Sequence, residues 1–141
     1  MIDEAIQALQ AHALLCSYGE GQIKLAPDYP TESAAALPMS IAHLGGGSST
    51  AMNSTTVLFL PVVFVDFHFS RASLTNAYRQ IDAVIRDYMR RLAGDPQLGG
   101  VVDTIVFPVT WSEPTAVQYN TIETLMVRFS VPLKTLETPI T

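Results

Sequence analysis

The stretch from residue 56 to 69, Thr-Val-Leu-Phe-Leu-Pro-Val-Val-Phe-Val-Asp-Phe-His-Phe, constrains this chain more than any other. Val57, Phe59, Val63, Val65, Phe67 and Phe69 alternate onto one side of an extended backbone, with Leu58, Leu60, Val62 and Phe64 on the other before Asp66 and His68 turn that side polar. Such a strand needs cover on both faces along its first half. Its unbroken apolar run, residues 57–65, is half the roughly 20 residues that a membrane helix requires, so no span is expected. Pro61 has no amide to donate, which predicts a bulge or an edge position there.

The helices read with a different period. Ile2, Ala5, Ile6, Leu9 and Ala13 recur at steps of three and four, predicting a helix over Ile2–Leu15 with Asp3 and Glu4 at its positive end. Leu74, Ala77, Tyr78, Ile81, Val84, Ile85, Tyr88, Met89 and Leu92 predict a longer one, capped by Ser70 or Ser73 and ended by Gly94. Its other face carries Arg79, Arg86, Arg90 and Arg91, which with Arg71 place five of the eight basic residues on or beside one helix.

Around these, residues 26–38 hold three prolines and read as an extended connection. Leu37, Met39 and Ile41 alternate as a strand, after which the Gly- and Ser-rich residues 45–55 are expected to form a flexible loop or hairpin tip. Residues 101–111 and 117–133 read as two strands joined as a hairpin across Ser112-Glu113-Pro114-Thr115, followed by an extended tail over residues 134–141. The order predicts one α+β domain of 141 residues: a mostly antiparallel sheet packed on one long and one shorter helix, in two layers.

Little in the sequence points to catalysis. The glycine run 45–47 lacks the Lys-Ser/Thr of a phosphate loop. Asp66 and His68 share a strand face and His43 could join them as metal ligands, but no fourth group stands at a recognisable spacing, and a solvent-reaching strand end is the better reading. Cys16 closes an apolar helix stripe, where cysteine packs as a small hydrophobe; alone, it ties the chain to no oxidising compartment. Trp111 reads as a core or interface anchor. Thirteen acids against eight bases give a net charge of -5, unlike the basic stripe of a nucleic-acid binder. The N-terminus lacks a secretion signal's basic and hydrophobic regions, so synthesis in the cytoplasm is expected. With 48% hydrophobic and 15% charged residues, subunit contacts are expected to hide surface. These features predict a structural protein and not an enzyme, with no cofactor and no metal. A small-ligand-binding module or minor enzyme, its pocket lined by Phe64, Phe67, Tyr78 and Trp111, is the competing class.

An N-terminal helix, the segment Pro27-Asp28-Tyr29-Pro30, a Leu37-Pro38 strand, a central strand, a long helix and Asp95-Pro96-Gln97-Leu98-Gly99-Gly100 before a final hairpin together resemble the tail terminator and neck proteins of long-tailed bacteriophages. The likeness is most specific over residues 78–131 and general in order over residues 1–56; the stretch 45–55 departs from it. It implies a homo-oligomeric ring, usually a hexamer, at the head-proximal end of the tail tube. Such a ring ends tube polymerisation, docks the head–tail connector, passes genomic DNA without sequence-specific binding and resides in the virion neck, after assembly in the bacterial cytoplasm. A head completion or tail tube subunit is the neighbouring alternative. A ring of this kind needs one patch to meet a different patch on the next subunit. Arg86, Arg90 and Arg91, with Trp111 and Glu113 on the hairpin, are the expected interface residues, and Glu113 and Glu123 the expected channel-facing acids.

Overall fold

In the computed structural model, which describes residues 2–19, 21–27, 36–119 and 121–140, three long strands carry the molecule. They are β1 (Met39–Asn53), β2 (Thr56–Ser70) and β6 (Ile122–Glu137), all antiparallel, with β2 in the middle. Three short strands, β3 (Thr104–Ile105), β4 (Thr110–Trp111) and β5 (Thr115–Tyr119), line the far edge of β6. Helices α1 (Ile2–Leu15) and α2 (Leu74–Gly94) pack on one face of this six-stranded sheet, so the chain has the α+β, sheet-plus-helix architecture that its sequence predicts.

The register explains the core. Val63 lies opposite Val131, Val65 opposite Phe129 and Phe67 opposite Val127, so the alternating apolar sets of β2 and β6 stand side by side on the helix-covered face. Ala77, Ile81, Val84, Tyr88 and Leu92 of α2 come down onto them, with Ala5, Ile6, Leu9 and Ala13 of α1 beside. Phe67, Tyr88 and Phe129 meet edge to face with centroids 5.1–5.3 Å apart, an arrangement that aromatic quadrupoles favour. Ser73 caps α2, its side chain accepting the Asn76 amide. After α2, a 3₁₀ turn (Leu98–Gly100) uses left-handed backbone at Gly99 and Gly100, φ 69° and 93°, to seat Leu98 in the core.

Several expectations are corrected. Residues 45–55 are mostly strand, since β1 runs through the glycines to Asn53 and the turn back to β2 is confined to residues 54–55. The glycines serve close approach here: a Cβ on Gly47 would stand 2.9 Å from the Leu60 carbonyl oxygen and the Pro61 Cα. Pro61 does face a bulge, formed by an extra residue of β1 between Leu44 and Gly47, but β2 is an inner strand and not an edge. The strand expected over 101–111 is broken into β3 and β4, with Pro108 between them. The hairpin strands meet at Tyr119 and Ile122, which pair directly, and not across residues 112–115; residues 112–114 instead run along β6, held by the Ser112 amide on the Arg128 carbonyl. The expected tail joins the sheet as far as Glu137, because Thr135, Leu136 and Glu137 pair with Phe59, Leu58 and Val57. The part of the proline-rich connection at residues 28–35, including Asp28, Tyr29 and Pro30 of the quoted motif, lies outside the described residues.

Candidate assembly surfaces

Arg86 and Arg90 are exposed on α2, whereas Arg91 is half-buried on the side that meets Cys16 at the end of α1, and two of the three are engaged at home. Arg86 Nε lies 3.2 Å from Asp82 one turn earlier, and Arg91 Nε lies 3.2 Å from Asp87. Arg90 is exposed and has no ion pair among the described residues. Trp111 is half exposed on the helix side of the sheet, against Phe129 at 6.2 Å. Glu113 is exposed in the segment before β5, and Glu123, at the start of β6, accepts a 2.8 Å hydrogen bond from Arg71.

The face of the sheet opposite the helices carries a network that alternation alone only half revealed, and Met39 and Ile41 beside it are buried as well. Asp66, expected near solvent, is buried; Arg128 donates to its carboxylate from Nε at 2.8 Å and Nη2 at 3.0 Å, while His43 Nε2 lies 3.2 Å away. The hydrogen bond to Asp66 strengthens the guanidinium's hold on its proton, and the same guanidinium lies 4.6 Å over the Phe64 ring. His68, likewise expected to reach solvent, is buried, with Nδ1 2.8 Å from the Thr124 hydroxyl; burial pushes its basicity down against a smaller opposing pull from Asp66. The set weighed as metal ligands is thus tied to Arg128 and Thr124, and among the described residues no three His, Cys, Asp or Glu form a group that could hold an ion.

Cys16 is buried with its thiol directed at the His12 carbonyl, and burial followed by the Asp87 charge pushes its pKa up to about 12, far from a nucleophile's range. Phe64, Phe67, Tyr78 and Trp111 do not converge: Phe67 is core, Phe64 lies on the opposite face, Tyr78 is exposed on α2 and Trp111 sits near the sheet edge. The space proposed for a ligand between helix and sheet is packed solid with the Phe67, Tyr88 and Phe129 rings.

The surface that sequence reasoning missed is the far end of the three long strands. The core reaches Ala42, Val63 and Leu133; beyond them β1 and β2 continue as an arm, flanked by the end of β6, that exposes Leu44, Met52, Phe59 and Leu136. At its root Ile2, Leu44, Phe59, Pro61 and the three glycines border a shallow open groove. The signal lay in the sequence as an absence: between His43 and Asp66 there is no Asp, Glu, Lys or Arg. No helix among the described residues is long and apolar enough to cross a membrane. The chain matches no protein-family model and no curated protein.

Proposed function

We propose that this chain is a structural, non-enzymatic subunit of a long-tailed bacteriophage virion. It closes into a homo-oligomeric ring at the head-proximal end of the tail tube, ends tube growth and joins the tube to the head–tail connector while DNA passes through the bore. What supports this reading, beside the resemblance over residues 78–131, is the uncharged arm. An exposed apolar surface rimmed by hydroxyl side chains calls for a protein partner, and a small acidic chain has no counter-charge to offer nucleic acid there. The acidic balance suits a channel that repels phosphates.

Negative-stain electron microscopy of the purified protein at high concentration, with a solution mass, tests the proposal. Closed rings of one size, with a hole that admits duplex DNA, are expected. Extended tubes would make the chain a tube subunit instead; defined dimers, or monomers that form no rings on added tail tubes, would refute it. Arg90→Glu tests the α2 contact, since unchanged assembly would remove that helix from the interface.

A further inference from the structure

An edge strand in water offers unpaired backbone amides and carbonyls, and proteins usually blunt such edges with lysines, prolines or other charges. The two edges of this sheet are treated differently. Along the far side of β6 the covering chain is cut into three short pieces, with Pro108 and Pro114 between them. On the opposite side β1 pairs only with β2 among the described residues, apart from the bridge that Leu25 makes to Met39 at its start. Over residues 44–53 that edge has no charge and no proline, and irregularities at 44/47 and 51/53 bracket a regular stretch, residues 47–51. One other described strand matches it in length and character: β5, Thr-Ala-Val-Gln-Tyr, uncharged, five residues long, paired with β6 on one side and exposed at Thr115, Ala116 and Gln118.

We infer that the edge of β1 over residues 47–51, unpaired among the described residues, pairs with the outer edge of β5, over residues 115–118, of a second copy of this chain, so that one subunit's sheet continues into the next. This rests on the ring reading above and names its contact. The two edges lie on opposite sides of one sheet, so the contact is heterologous, and a heterologous contact repeats around a ring. No like charges meet across it. Ser48, Ser49 and Thr50 face a strand carrying Thr115 and Gln118, side chains that hydrogen-bond across a strand pair. A β1-to-β1 pairing would instead be isologous and would stop at a dimer.

The test uses the full chain with Ser49→Cys and Gln118→Cys, separately and together, treated with a flexible bismaleimide; the native Cys16 is buried and does not compete. The double variant is expected to give a ladder of multimers on a denaturing gel, each single variant none, and an equal mixture of the singles a dimer. Dimers from Ser49→Cys alone would replace the contact by a β1-to-β1 pair and overturn it. Rings visible by microscopy with no cross-linked product would overturn this contact and leave the ring standing, whereas absence of both, with added tubes included, would remove the ring as well. Thr50→Lys, on an exposed edge position, is expected to abolish assembly with an unchanged circular dichroism spectrum; normal assembly of that variant would also refute the contact.

Discussion

Removing the Arg128 side chain is the sharpest probe of the sheet face opposite the helices. Arg128→Met keeps the length and the packing over Phe64 but takes both hydrogen bonds from the Asp66 carboxylate, whose side chain is only 8% exposed. His43, 3.2 Å away, is then its one remaining side-chain partner among the described residues. Stripping one member of a fully buried pair costs about 3–5 kcal/mol, mostly because a charge stays behind without compensation. Here Arg128 is itself 38% exposed and His43 remains, which screens and shares the charge, so the expected loss is about 2 kcal/mol. For a chain of this size that is a fall in melting temperature of roughly 6 °C. Taking out both charges, Asp66→Leu with Arg128→Met, leaves nothing uncompensated and is expected to stay within about 1 kcal/mol of the parent. Urea unfolding followed by circular dichroism measures all three. A single variant within about 0.5 kcal/mol of the parent, or a double variant less stable than the single, would refute the account of Asp66 as a buried charge held by Arg128.

His68 makes stability depend on pH: burial holds its folded-state basicity below the ordinary histidine value of about 6.5, so below that pH the unfolded chain binds more protons. Stability contributed by His68 is therefore complete above about pH 6.5 and is lost as pH falls towards the lowered folded value, and unfolding curves of His68→Gln should lack that loss. Cys16 is expected to resist iodoacetamide at pH 8 in the native protein and to react in step with urea unfolding, read by mass spectrometry; rapid native labelling would contradict its burial. Gly47→Ala forces a methyl to within 2.9 Å of two backbone atoms of β2 and is expected to cost about 1–3 kcal/mol in a urea titration, whereas a flexible loop would tolerate it.

Periodicity made both helices and the central strand legible, because helix and strand repeats of apolar side chains survive in a linear string: Ile2–Leu15 is the helix that Ile2, Ala5, Ile6, Leu9 and Ala13 predict, and Leu74–Gly94 follows from its stripe. Composition also carried the absence of charge between His43 and Asp66. What the string could not carry was pairing. Glycine is permissive, so Gly45, Gly46 and Gly47 read as a loop, and only the register against Pro61 shows why small residues in a strand are required there. Asp66 and His68 alternate like an exposed face, and it took Arg128, 62 residues away from Asp66, and Thr124, 56 away from His68, to bury them. Local sequence determined which segments turn into helix and strand; tertiary structure decided which edges stay open and which polar groups leave water, because hydrogen-bond partners and solvent exposure are set by neighbours far apart in the chain.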